Sequence, residues 1–334
     1  MSNIAVDTGV SRRTVLDTRI RDFVLDNIIW FILIGMCIFA YSLNPVFLTK
    51  RNILNLLVHF SVLGVLTIAE SLCLLTGHFD LSIESTVGFT AVIAGWLMLD
   101  QRNASGWMVD PFLAVLAMLA VGTVIGLING LIIIKVGLNP FIVTLAMLII
   151  LRGTALGITE GMVLYNLPKS FTFLGSKSIV GLPIPVLVLL ASFIIAHIVI
   201  SRRPFGRELY AIGGNRYAAR ASGIDDNRRI ISVFVLSSVL AAFAGWMLAG
   251  RIQSVTTNLG EGMVFDVFAA AVIGGVSLNG GRGTMIGALG GVLLLGVISN
   301  SLTLAQVSSF WIDATRGLLI LIAMFIDAIK LRFR

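Results

Sequence analysis

Residues 112–134 read FLAVLAMLAVGTVIGLINGLIII, a run without one charged side chain. A helix that crosses a membrane needs about 20 mostly apolar residues, so this run is long enough to do so. Nine further segments are similarly apolar or nearly so. Together they predict an all-α, polytopic integral membrane protein of about ten transmembrane helices, several of them short or broken. The predicted segments are 28–43, 53–75, 82–98, 112–134, 139–158, 184–200, 230–250, 263–279, 284–304 and 310–329.

The composition of the 334 residues supports this class. Apolar residues make up 57% and charged residues 12%, whereas a soluble protein has about 25% charged residues. The mean hydropathy is +0.99. A soluble fold of this size could not bury that much apolar surface. The same composition excludes disordered, collagen-like, coiled-coil and small disulfide-bonded proteins. Cys37 and Cys73 lie inside apolar runs, so we interpret them as packing residues.

The basic residues predict the orientation. The formal charge is +7, and ten spans with a cytoplasmic N-terminus place 16 of the 24 Lys and Arg residues on the cytoplasmic side, as the positive-inside rule expects. Residues 1–27 and 331–334 are then cytoplasmic tails of one transmembrane domain, 28–330. The positive charge therefore indicates membrane orientation rather than nucleic-acid binding. The alternative is eight or nine spans with one re-entrant segment.

Two halves of the chain are weakly similar. Ala91-Val-Ile-Ala-Gly95 is matched by Ala271-Val-Ile-Gly-Gly275, and the segment 122–130 is matched by 283–291 in the same order. Chance matches are common in helices rich in Gly and Ala. A true repeat would place two helix bundles on either side of a central path, which is typical of transporters.

The predicted cytoplasmic loop 201–229 contains a short helix with a signal at each end. Asn215 is a good N-cap, and Gly223 is a good helix stop. The helix between them, 216–222, has small residues on its surface, and Arg216 and Arg220 share a face. Such a helix is suited to docking in a cleft of another protein. The alternative is an ordinary positive-inside loop.

Four stretches of the sequence resemble one known family. They are the loop 205–224, the segment Thr76–Ser85, the segment from Asn139 to Gly153, and the segment from Phe268 to Thr284. From about residue 45 onward, the chain resembles permeases of ABC importers of the ribose/xylose/galactose type, within the branched-chain amino acid/sugar permease superfamily. Glu84 departs from the family pattern, which usually has glycine or another small residue there.

The resemblance implies a subunit of the bacterial inner membrane that carries a monosaccharide or a related polyol by alternating access. The implied partners are a second permease copy, most simply in a homodimer, an ABC ATP-binding subunit and a periplasmic sugar-binding protein. The sequence has no Gly-x-x-x-x-Gly-Lys-Ser/Thr phosphate loop, so ATP and Mg are expected on the partner, no cofactor is expected here, and the chain is expected not to be an enzyme. The implied coupling residues are Gly206, Tyr210, Gly213, Gly214, Asn215, Ala218, Ala219, Arg220, Ser222, Gly223 and Ile224.

Polar residues within the apolar segments are candidates for the solute path. Carboxylates inside a membrane normally face protein or water. Asp80 has two interpretations, a cap at the start of the third segment or a group of the path. Glu70 and Glu84 either receive solute hydroxyls, pair with an arginine such as Arg152, or support the helix break. The candidate path residues are Asp80, Ser82, Glu84, Ser85, Asn139 and Asn300.

Three other functions remain as alternatives. An ABC permease for branched-chain amino acids or nucleosides resembles the same superfamily. An ion-coupled secondary transporter would use the carboxylates of Glu70, Asp80 and Glu84. An intramembrane enzyme is disfavoured, because the three histidines are scattered and no group has metal-ligand spacing.

Overall fold

The computed structural model describes residues 27–101 and 104–332 as a helical membrane protein. The predicted tail 1–27, apart from Asn27, and residues 333–334 of the predicted C-terminal tail lie outside these residues. The helices are α1 (Ile28–Leu43), α2 (Lys50–Leu75), α3 (Ile83–Met98), α4 (Pro111–Leu131), α5 (Pro140–Thr159), α6 (Lys169–Ser176), α7 (Ile184–Arg202), α8 (Pro204–Gly214), α9 (Arg216–Ala221), α10 (Asp226–Ile252), α11 (Met263–Ile273), α12 (Met285–Leu304) and α13 (Ser309–Arg332).

Smaller elements connect these helices. A 3₁₀ turn, Pro45–Leu48, precedes α2, and a π-helical turn, Ile132–Val136, extends α4. Two short strands, β1 (Ser178–Ile179) and β2 (Leu182–Pro183), form an antiparallel hairpin before α7. Each of the ten predicted apolar segments contains a helix, which confirms the polytopic all-α class.

Among the described residues, six helices are long and apolar enough to cross a membrane: α2, α4 with its π-helical turn, α5, α7, α10 and α12. Three apolar helices are shorter. α3 has 16 residues and α11 has 11, or about 24 and 17 Å at 1.5 Å per residue. The hydrocarbon core is about 30 Å thick, so both helices are shorter than the core, and α1, with 16 residues, is as short as α3.

One of the predicted boundaries is wrong. The segment 263–279 was expected to be one helix, but α11 ends at Ile273. Gly275 has a left-handed φ of +86°, which stops the helix. Gly274 lies so close to the Gly287 carbonyl oxygen that a Cβ would come within 2.4 Å of it. Close packing between α11 and α12 thus replaces the last part of the predicted span.

The core of the protein is formed by α2 and α10. α10 packs against α2, α3, α4 and α6, and α2 also packs against α7, α11 and α12. In the most apolar stretch of α2, 83% is buried, compared with 28% in the corresponding stretch of α5. An apolar helix face that no other part of this chain covers must contact lipid or another subunit. α5 is therefore peripheral, whereas α2 and α10 position the polar residues of the interior.

Candidate functional site

The polar loop between α2 and α3, residues 76–82, folds back along α2. The Asp80 amide donates a hydrogen bond to Glu70 Oε1 over 3.3 Å. The Asp80 carboxylate accepts from both the amide and the hydroxyl of Ser82, at 3.0 and 2.5 Å. Ser82 stands immediately before α3. Asp80 therefore fixes Ser82, the N-cap residue of α3, and Ser82 makes no side-chain capping bond to the helix. The carboxylate thus supports the turn before the helix rather than capping its first turn.

This loop is tied to two more helices in the interior. The Asn129 amide of α4 donates to Ser82 Oγ over 3.0 Å, and the Ser237 hydroxyl of α10 donates to Asp80 Oδ2 over 3.3 Å. Asp80, Ser82, Asn129 and Ser237 are fully buried. We call these four residues with Glu70 the polar core cluster. It joins α2, α4 and α10 at the start of α3.

Glu84 lies beyond the polar core cluster and makes an ion pair. Its carboxylate lies 2.9 Å from Arg152 of α5 and accepts from the Val264 amide at 3.4 Å. Arg152 also contacts Glu261, at 3.2 Å. The first turns of α3 and α11 thus meet at Glu84. Of the alternatives for this carboxylate, the structure shows the pairing with Arg152.

The other candidate path residues lie apart from one another. Ser85 donates to the Ser82 carbonyl over 2.9 Å. Asn139 is an exposed N-cap of α5 and accepts from the Phe141 amide over 2.9 Å. Asn300 of α12 and Asn52 of α2 exchange amide hydrogen bonds of 2.8 and 3.1 Å. Asp80, Ser82, Glu84 and Ser85 are therefore brought together, but Asn139 and Asn300 are not.

A second candidate region is the segment 204–224, which contains α8 and α9. It lies at the C-terminal end of α2. The sequence did not predict α8. The Tyr210 hydroxyl donates to the Gly283 carbonyl over 2.7 Å, and burial raises the pKa of this phenol, so it remains a donor at neutral pH. A Cβ on Gly213 would lie 2.0 Å from the Leu75 carbonyl oxygen. One side of α8 is thus fixed to the ends of α2 and α12.

The ends of α9 are as predicted. The Asn215 side chain accepts from the Ala218 amide over 3.0 Å. At the other end, Gly223 has a φ of +85°, its amide donates to the Arg220 carbonyl over 2.9 Å, and the Ile224 amide donates to the Ala219 carbonyl over 3.1 Å. This pair of bonds is the Schellman motif. The short helix is therefore closed by local interactions at both ends.

The two arginines of α9 face the protein itself. Arg220 Nε lies 2.6 Å from Asp226 Oδ1, and Arg216 Nε bonds to the same carboxylate. The bonds to Asp226 raise the pKa of the Arg220 guanidinium. Arg216 and Arg220 do share a face, but that face is neutralised by Asp226 at the start of α10. The sequence alone did not reveal this pairing.

The exposed side of the segment consists mostly of small residues and has one large side chain. Tyr217 is 84% exposed, and sequence reasoning missed it. Ala219 is buried, and residues two apart in a helix point to nearly opposite sides, so Tyr217 faces outward. Between residues 214 and 224, the other exposed residues are Gly214, Asn215, Ala218, Arg220, Ala221, Ser222 and Gly223. Gly206, Ala219 and Ile224 are buried or partly buried and hold the segment in place.

The described helices define a multi-pass α-helical membrane protein in which two short helices, α3 and α11, meet at Glu84. The chain matches the family described as branched-chain amino acid transport system / permease component over residues 52–326, and it belongs to that family. It is a transport subunit and not an enzyme.

Three relatives show how far the similarity extends. The chain is 39% identical over 298 residues to the ribose import permease protein RbsC of Bacillus subtilis, covering 88% of this chain and 90% of the relative. It is 33% identical over 327 residues to the galactose/methyl galactoside import permease protein MglC of Haemophilus influenzae, covering 92% and 96%. It is 34% identical over 283 residues to the L-arabinose ABC transporter permease protein AraH of Azospirillum brasilense, covering 85% and 81%. No solved structure matches the chain.

Proposed function

We propose that this protein is the membrane-spanning permease subunit of an ATP-driven ABC importer that carries a monosaccharide, or a related polyol, across the bacterial inner membrane by alternating access. The observation that carries the proposal is the match over nearly the whole chain to relatives named as ribose, galactose and arabinose permeases. The buried ion pairs and short helices within the membrane agree with a transporter, since such features mark solute pathways.

The segment 204–224 is proposed to receive the movement of a separate ATP-binding subunit, which binds ATP and Mg. Its exposed face, with Tyr217 between small residues, is free to enter a cleft of a partner. Its inner face contacts the ends of α2 and α12 through Gly213 and Tyr210. A packed contact of this kind shifts between discrete arrangements rather than deforming continuously. A displacement of the segment would therefore move the helices that hold the polar core cluster.

The remaining partners and the orientation follow from the same proposal. A periplasmic sugar-binding protein delivers the solute at the end opposite 204–224, and a second copy completes the path in a homodimer. Both termini are cytoplasmic, because the basic segment 204–224 lies on the cytoplasmic face. Glu84 and the neighbouring Ser85 lie beside the path, while Asp80 and Ser82 hold the start of α3.

Crosslinking tests the docking of 204–224. Ala218→Cys and Val180→Cys each place a thiol at an exposed position, and the two positions lie at opposite ends of the helix bundle. We expect Ala218→Cys, in a background with Cys37→Ser, to crosslink to the ATP-binding subunit in membranes, and Val180→Cys not to do so. Equal crosslinking from both sites, or none from Ala218→Cys in an assembled complex, would exclude this contact.

The second candidate function is transport of a branched-chain amino acid, and the family description favours it. Purified complex in proteoliposomes distinguishes the two. Uptake of radiolabelled D-ribose, D-galactose or L-arabinose with ATP inside supports the sugar permease. Uptake of leucine without uptake of any of the sugars would instead support the branched-chain amino acid permease.

A further inference from the structure

Two adjoining cavities open at the end of the protein far from the segment 204–224. Their volumes are about 470 and 620 Å³, and both are lined by His59, Phe60, Arg251, Asp313 and Arg316. They lie between α2, α10, α11, α12 and α13. His59 is 16 residues from the end of α2 that contacts Gly213, or about 24 Å along the helix. The cavities are thus separate from the polar core cluster and from the segment 204–224.

The lining carries charges of both signs. Its basic residues are Arg251 and Arg316, and its acidic residues are Glu261, Asp266 and Asp313. Arg316 lies 3.5 Å from Asp266 and 3.2 Å from Asp313. Arg251 donates to the His59 ring over 2.7 Å and makes no ion pair among the residues that the structure describes. Charged side chains at membrane depth face protein or water rather than lipid. The two cavities share five lining residues and therefore form one space, which we call the charged cavity.

The charged cavity continues into the protein through a chain of ion pairs. Glu261 lines the larger part of the cavity and contacts Arg152. Arg152 in turn contacts Glu84 at the start of α3. This chain connects the open cavity with the point where the first turns of α3 and α11 meet. A solute in the cavity would thus lie next to the short helices on which alternating access depends.

We propose that the charged cavity is a binding site for a neutral, polyhydroxylated solute, a monosaccharide or a polyol of similar size. The proposal rests on the proposed sugar-permease function and names the place in this chain where the solute binds. The volume of each of the two cavities, about 470 and 620 Å³, falls within the usual range of ligand pockets, about 300–1,000 Å³.

The alternation of donors and acceptors supports this class of solute. The guanidinium groups of Arg251 and Arg316 can only donate hydrogen bonds, and the carboxylates of Asp266 and Glu261 can only accept them when ionised. A sugar hydroxyl does both, so neighbouring hydroxyls can bridge such pairs. The rings of Phe60 and Phe265 also line the larger cavity and offer apolar surface to the C–H face of a sugar ring. An amino acid with a branched apolar side chain would leave most of these polar groups without partners, which is costly.

Transport by the complete complex tests the proposal. The permease with its ATP-binding subunit and binding protein is reconstituted, and uptake of D-ribose, D-galactose and L-arabinose is measured at saturating loaded binding protein. We expect Arg251→Gln and Asp266→Asn each to lower the maximal uptake of the transported sugar at least tenfold. Lys177→Gln and Asp100→Asn are matched controls, since they remove one charge each at exposed positions that do not line the cavity, and they should retain wild-type uptake.

A second measurement covers the case in which a cavity variant does not fold. Thr303 lines the smaller cavity and is exposed, so Thr303→Cys with Cys37→Ser provides an accessible thiol there, while Cys73 is buried. The transported sugar, at tens of millimolar, should slow maleimide labelling of this thiol at least twofold, and leucine should not. No uptake of any of the three sugars by the wild-type complex would refute the sugar-permease function itself. Wild-type uptake with unaffected Arg251 and Asp266 variants and unchanged labelling would refute only the cavity as the binding site.

Discussion

At the scale of single residues, Glu84 is expected to stabilise the fold through its ion pair. The residue is 4% exposed, and Glu84→Gln removes its charge while keeping its shape. Arg152 would then retain only the exposed Glu261. A polar group left without its partner in a buried place costs about 1–3 kcal/mol. We expect Glu84→Gln to lower the melting temperature of the purified protein in detergent.

The matched control for Glu84 is the other carboxylate on the same arginine. The Glu261 side chain is 54% exposed, and exposed ion pairs contribute about 0–1 kcal/mol. Glu261→Gln should therefore melt close to the wild type. Equal melting temperatures for the two variants would show that the buried pair does not contribute to stability.

Two adjacent glycines give a second prediction at this scale. A methyl group on Gly213 would lie 2.0 Å from the Leu75 carbonyl oxygen, whereas one on Gly214 would meet nothing within 4 Å. Forcing atoms into a close-packed contact costs about 1–3 kcal/mol. Gly213→Ala should lower the melting temperature, and Gly214→Ala should not. If both variants melt like the wild type, α8 does not pack against α2 as tightly as the structure shows.

At the scale of elements, α9 is held against α10 by one carboxylate. Asp226 binds both Arg216 and Arg220, and bonds between charged groups are roughly twice as strong as neutral ones. Asp226→Asn should weaken both contacts. We expect the amides of 216–221 to exchange hydrogen about tenfold faster, which corresponds to about 1.4 kcal/mol.

The neighbouring residue provides the control for Asp226. Asp225 caps α10 through the Arg228 amide, and Asn is as good a cap as Asp. Asp225→Asn should therefore leave the exchange of α9 unchanged. Unchanged exchange in Asp226→Asn as well would mean that the two arginines do not fix the short helix.

The elements also show what the sequence could predict. The apolar segments and the two ends of α9 depend on neighbouring residues, such as the cap at Asn215 and the stop at Gly223, and both were found. The end of α11 depends on contact with α12. The pairing of Glu84 with Arg152 joins residues 68 positions apart, and the sequence offered it only as one of three alternatives. The charged cavity likewise needs helices from both halves of the chain. Interactions between distant segments leave no local pattern, so these features required the structure.

At the scale of the whole molecule, the energy source separates the proposed importer from an ion-coupled transporter. Glu70 and Asp80 lie together in the interior, where a Glu70 carboxylate oxygen is 3.3 Å from the Asp80 backbone amide. An ion-coupled mechanism would use two neighbouring acidic residues of this kind. In the proposed importer they hold the start of α3, and the energy arrives through the segment 204–224. Uptake by the complete complex should then continue when a protonophore and a sodium ionophore abolish both ion gradients while internal ATP is kept constant. It should stop when the ATP-binding subunit carries a substitution that blocks hydrolysis, and vesicles with this chain alone should not accumulate sugar. Accumulation by the chain alone, abolished by either ionophore, would instead assign Glu70 and Asp80 to ion binding and exclude the ATP-driven mechanism.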